Sequence, residues 1–136
     1  PNIVAIKEAS GDISQIAQLA QLGRGVIDIY SGNDDQIIPI LSLGGIGVIS
    51  VLSNLLPRVT HDLVMEYLEG DREKALDLQL QYLPLMKALF WEVSPIPAKA
   101  ALHAMGLCEN VLRLPLTTMD PEKEQKLLEL LKQMGV

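Results

Sequence analysis

Apolar residues come in two rhythms along this chain: short continuous runs up to about residue 50, then helical spacings. Ile3-Val4-Ala5-Ile6, Val26-Ile27-Asp28-Ile29-Tyr30 and Gly47-Val48-Ile49-Ser50-Val51 have the length and β-branched character of buried strands, the first of them buried on both faces. Between the first two, Asp12 caps a predicted helix from Ile13 to about Leu22, with Ile13, Ile16, Ala17 and Ala20 on one face and Gly23 and Gly25 stopping it. Between the second and third, a helix is predicted over Asp34 to Ser42, its first turn acidic as the helix dipole prefers, ended by Gly44 and Gly45.

Beyond residue 56 the pattern is helical. Pro57 to Glu69 is ended by Gly70, and Asp71 caps a longer helix through Ala88 or beyond, with Ala75, Leu78, Leu85 and Leu89 as core candidates. Ser94-Pro95 reads as a cap with proline in the first turn of a helix running to Met105. Leu107 to Met119 reads as extended or irregular, and Asp120-Pro121 opens the helix Glu122 to Met134.

This is an α/β chain with a β-α-β-α-β order, whose right-handed crossovers give parallel strands. Residues 1–56 read as part of a TIM barrel, the last three strands with their helices. Residues 57–136 read as the closing barrel helix and a C-terminal helical region. Three β-α units alone leave two strand edges unpaired, which proteins normally avoid, and they make sense as the last part of an eight-unit barrel. The chain opens on Pro1 and enters a strand pattern at once, so the expectation is a fragment of a longer protein.

Composition narrows the function classes. A formal charge of -6 over 136 residues disfavours nucleic acid as a partner. No apolar run reaches membrane-spanning length. A single cysteine, Cys108, cannot close an internal disulfide, which suits a cytoplasmic setting. His61 and His103 lack metal-ligand spacing, Asp34-Asp35 lacks the pattern of a calcium loop, and no glycine-rich phosphate motif occurs. No metal or organic cofactor is expected.

Lys7 is the most informative position. It ends an apolar strand, where parallel β/α proteins place reactive groups. A lysine projecting into an aliphatic interior has its ammonium form disfavoured, and a free amine attacks a ketone to give a carbinolamine and then an iminium. The bland alternative is a lysine snorkelling at a strand end. The lysines at 74, 87, 99, 123, 126 and 132 fall in charged helix patterns, where a solvated face is the default. Ser31-Gly32-Asn33-Asp34 and Ser50 to Asn54 follow strands and would share the rim with Lys7. Gly32 admits close backbone approach, although turn chemistry and helix capping also account for these residues.

The segment Ile3-Val4-Ala5-Ile6-Lys7-Glu8-Ala9-Ser10-Gly11-Asp12 resembles the stretch carrying the Schiff-base lysine in the dihydrodipicolinate synthase family. Ser31-Gly32-Asn33-Asp34, Gly44 to Val51, Asn54, Pro95-Ile96-Pro97-Ala98-Lys99 and Leu112-Arg113-Leu114-Pro115-Leu116 resemble its pattern in the same order. The resemblance implies a (β/α)8 barrel with a C-terminal helical region, this chain supplying strands six to eight. It implies a lyase of the class I aldolase type that condenses pyruvate with L-aspartate 4-semialdehyde, towards diaminopimelate and lysine. Lys7 would form the imine, Ile49 would contact pyruvate through its backbone, and Gly32 would line the pocket. A homo-oligomer is implied as well.

The proton-shuttling tyrosine with its threonine and tyrosine partners, and the arginine that receives the aldehyde, belong to earlier strands in that family. Nothing here takes those roles, Tyr30 included, so the isolated chain is expected to have little or no synthase activity. The alternatives are an N-acetylneuraminate lyase or sugar-acid aldolase of the same superfamily, and, from another class, a non-catalytic assembly or folding module whose open edges pair with another copy.

Overall fold

The computed structural model describes residues 2–136. β1 (Ala5–Glu8), β2 (Asp28–Ser31) and β3 (Gly47–Val48) form one parallel sheet in chain order. α1 (Ile13–Gly23) joins β1 to β2, and a 3-10 turn (Asp34–Gln36) with α2 (Ile37–Ser42) joins β2 to β3. After a second 3-10 turn at Leu52–Asn54 come α3 (Pro57–Glu69), α4 (Arg72–Ala88), α5 (Ile96–Ala104) and α6 (Pro121–Gln133).

Several starts and stops follow local chemistry. The Asp12 carboxylate accepts from the Ser14 and Gln15 amides, Asp71 from the Lys74 amide, and Asp120 from the Glu122 and Lys123 amides. Gly70 closes α3 at φ 106°, a left-handed conformation that costs glycine little, and its amide donates to Glu66 C=O. The predicted bounds of α3 agree with the observed helix.

Other expectations are corrected. β1 lies two residues later than predicted and is not buried on both faces: Ile3, Val4 and Ile6 are 77%, 68% and 36% exposed. The reason is that α1 and α2 pack on one face of the sheet while the face bearing Lys7 is open, and β1 pairs with β2 along one edge only. β2 likewise starts at Asp28 and leaves Val26 exposed, and β3 is shorter than the five-residue run predicted for it. The buried side of α1 runs through Ile16, Leu19, Ala20 and Gly23, whereas Ile13 and Ala17 face outwards. Ser94 makes no cap. α5 begins at Ile96 with Pro95 as its flanking residue, so Ser94 stands too early to reach the free amides.

Two apolar clusters hold the molecule. Ile16, Ile29 and Ile40 pack α1 and α2 against the sheet. The larger cluster runs from Ile37 and Leu41 through Leu52, Leu63, Leu85 and Ile96 to Leu127 and Leu131, joining α2 to α6.

Candidate functional site

Parallel register and side-chain alternation decide which residues face together. Lys7 pairs with Tyr30, which pairs with Gly47. Ile29, one residue from Tyr30, faces the helices with Ile16 and Ile40. The row Lys7–Tyr30–Gly47 therefore lies on the sheet face turned away from α1 and α2. Two residues further along, Gly32 and Ile49 continue that face at the C-terminal ends of their strands. The three residues singled out by sequence thus stand on one face and one rim.

The rim is tightly drawn between β1 and β2. The Gly32 amide donates to Glu8 C=O at 2.6 Å. A Cβ added at Gly32 would lie 2.6 Å from Ala9 Cβ and 2.9 Å from Lys7 Cε. The close approach inferred for Gly32 is therefore, in the first place, an approach by the Lys7 side chain itself. The Ile49 amide donates to Ser31 C=O at 2.8 Å, which ties the end of β3 to the residue beside Gly32. The Tyr30 ring lies over Gly47, where a Cβ would meet ring carbons at 3.0 and 3.2 Å.

The aliphatic enclosure expected around Lys7 is not supplied by this chain: Lys7 is exposed, on the open face of a three-stranded sheet. Its neighbour Glu8 points the other way and is 6% exposed. Glu8 Oε1 accepts from the Ser10 amide at 2.6 Å, and the Ser10 hydroxyl accepts from the Asp12 amide at 3.2 Å. Hydrogen bonds from the Ser10 hydroxyl and then the Ser10 amide hold the Glu8 carboxyl below its ordinary pKa, against the opposing effect of burial. The turn after Lys7 is thus anchored at both ends, by Glu8 and by the Asp12 cap of α1.

Sequence reasoning assigned Asp34 no chemistry, and the structure gives it a definite position. It is 2% exposed, and its Oδ2 accepts from the amides of Val51 and Leu52, each at 3.0 Å. Its Oδ1 is buried and meets no donor among the described residues. Gln79, reaching in from α4, donates to Asp34 C=O at 3.0 Å and accepts from the Ile38 amide at 3.4 Å. In the sequence Gln79 is one polar position in a helix pattern, and its burial shows only in the structure.

The remaining candidates stay apart from the rim. His61 hydrogen-bonds its neighbour Asp62, and His103 Nδ1 lies 3.0 Å from Cys108 C=O. Among the described residues, no group of three or more His, Cys, Asp or Glu is placed to hold a metal ion, and no helix is long and apolar enough to cross a membrane.

Residues 1–134 match the model of the dihydrodipicolinate synthetase family. The chain is 55% identical over 135 residues to the 4-hydroxy-tetrahydrodipicolinate synthase of Lachnoclostridium phytofermentans, covering 99% of this chain and 46% of the relative. It is 57% identical over 136 residues to that of Caldicellulosiruptor bescii, again 46% of the relative. Among solved structures, the 4-hydroxy-tetrahydrodipicolinate synthase of Methylacidiphilum fumariolicum SolV superposes with a TM-score of 0.95 at 42% identity, over 98% of this chain and 45% of that one. The chloride-inhibited dihydrodipicolinate synthase from Acinetobacter baumannii complexed with pyruvate gives 0.95 at 36% identity, over 100% and 47%. The chain spans about half the length of the curated relatives it matches. Family model, sequence relatives and superposed structures agree with the motif order along the rim: this chain belongs to the dihydrodipicolinate synthetase family.

Proposed function

We propose that this chain is the C-terminal half of a 4-hydroxy-tetrahydrodipicolinate synthase, in which Lys7 captures pyruvate as a Schiff base. Residues 1–56 would supply barrel strands six to eight, and residues 57–136 the closing helix and the C-terminal helical region. The observation that carries the reading is the packing of Lys7 Cε against Gly32 at the C-terminal ends of β1 and β2, in a chain more than half identical to synthases.

The chemistry follows from the amine. A neutral Lys7 Nζ adds to the pyruvate ketone, loss of water gives an iminium, and loss of a methyl proton gives an enamine. The enamine carbon attacks the aldehyde of L-aspartate 4-semialdehyde. The backbone at Ile49 orients pyruvate, and Gly32 keeps the pocket wall thin. The reaction runs without metal or organic cofactor. The whole protein is a cytoplasmic homo-oligomer that binds neither nucleic acid nor membrane. Proton transfer and the aldehyde-binding arginine come from outside residues 1–136, so the isolated chain has little or no synthase activity.

Borohydride reduction in the presence of pyruvate, followed by peptide mass spectrometry, tests the reading. A stable adduct on Lys7, absent from the helix lysines and lost in Lys7→Arg, is the expected result. No adduct on the 136-residue chain would mean that residues outside it are needed to make Lys7 reactive. No adduct on the full-length protein would overturn the mechanism.

A further inference from the structure

We propose that Asp34 is a positioning residue for the rim: its buried carboxylate sets the backbone of Ile49 and Ser50 by holding the two amides that follow them. This rests on the reading of Ile49 as the pyruvate contact. The end of β3 is short of other restraints. β3 is two residues long, and its last ladder bond is the Ile49 amide to Ser31 C=O at 2.8 Å. Beyond it the chain leaves the sheet, and the next backbone amides that meet an acceptor are those of Val51 and Leu52. Both end on one oxygen, Asp34 Oδ2, at 3.0 Å. Ile49 and Ser50 are therefore held between Ser31 on one side and Asp34 on the other, both borne on the end of β2 and the turn after it.

At 2% exposure water does not compete for the two amides. Asp34 is itself fixed from behind. Gln79 holds its carbonyl, and the Gln79 amide nitrogen also lies 3.1 Å from Met86 Sδ, so α4 fastens the turn that bears Asp34. The second oxygen, Oδ1, sits in a space with no donor. In Asp34→Asn one side-chain oxygen remains to keep the two bonds, in weakened form. That variant retains the shape of the side chain and changes only its terminal atoms.

The test is amide hydrogen exchange in the 136-residue chain, wild type against Asp34→Asn, with Asp34→Ala as the harsher change. Exchange at Val51 and Leu52 should accelerate about tenfold or more, and exchange at Ile49 should accelerate with it, while Leu63 in the core stays within about twofold. The matching functional readout is the pyruvate concentration that half-saturates borohydride trapping on Lys7. It should rise about tenfold in Asp34→Asn, with the plateau unchanged, as a loss of about 1.4 kcal/mol in pyruvate binding requires. Unchanged exchange at Ile49, or an unchanged half-saturation beside a lowered melting temperature, overturns the proposal and leaves Asp34 a merely structural residue. Absence of trapping in the wild-type chain speaks only to the Lys7 reading, and the exchange rates at Ile49 then decide the role of Asp34 alone.

Discussion

Lys7 Cε lies 2.9 Å from the point where Gly32 would carry a Cβ, so the absent side chain at Gly32 and the reach of the Lys7 side chain share one space. The same point lies 2.6 Å from Ala9 Cβ and 3.0 Å from Glu8 C=O. Backbone cannot step aside cheaply there. Gly32→Ala should destabilise the chain by about 1–3 kcal/mol, as overpacking does. Chemical denaturation should show a lowered midpoint, and any Lys7 adduct should form more slowly. An alanine variant as stable as wild type would mean that β1 and β2 separate at this end without cost.

Gln79 is the hinge pin between α4 and the rim. Gln79→Leu keeps the bulk but leaves Asp34 C=O and the Ile38 amide without their buried partner. A stranded buried pair of this kind costs about 1–3 kcal/mol. Thermal unfolding monitored by circular dichroism should show the loss, and a leucine variant that melts with wild type would contradict it.

Glu8 predicts a pH dependence. Its folded pKa lies below the unfolded value of 4.5, so ionised Glu8 stabilises the fold above that pH. The contribution fades as pH falls through 4.5 towards the depressed folded value. Glu8→Gln should remove that component, so the stability difference between wild type and variant should shrink on acidification. Denaturation midpoints at neutral pH and below 4.5 give the comparison, and a difference that is constant or grows towards acid would refute it.

Asp120 closes the free end of α6. Its carboxylate takes the Glu122 and Lys123 amides, and its own amide donates to Glu92 at 3.1 Å. Asp120→Ala should cost about 1 kcal/mol, whereas Asp120→Asn should cost little. A midpoint for the alanine variant that coincides with that of the asparagine variant would show that the cap contributes nothing.

The sequence carried those parts of the fold whose causes are local. Asp12, Asp71 and Asp120 cap helices within three residues of themselves, and Gly70 stops α3 by its own conformation. The strand positions were less legible, because Ile3 and Val4 look as buried as Ile29 until the sheet shows which edge has a neighbour. Lys7, Gly32 and Ile49 could be placed on one rim from strand ends and motif order. Asp34 could not be read, since its partners lie 17 and 18 residues further on, and its link to Gln79 spans 45. Ser94 misled because a serine before a proline carries the mark of a cap without fixing where the helix begins.

The apolar cluster that joins Ile37 in α2 to Leu131 in α6 has a consequence for descent as much as for stability. Leu41 and Leu52 on one side of residue 56 share their interior with Leu63, Leu85 and Leu127 on the other. Recombination between distant relatives at that point would bring together halves of one interior shaped by different ancestors. The two stretches therefore share one constraint, and a substitution in α6 is screened against α4 and α5, through which it meets the interior of α2.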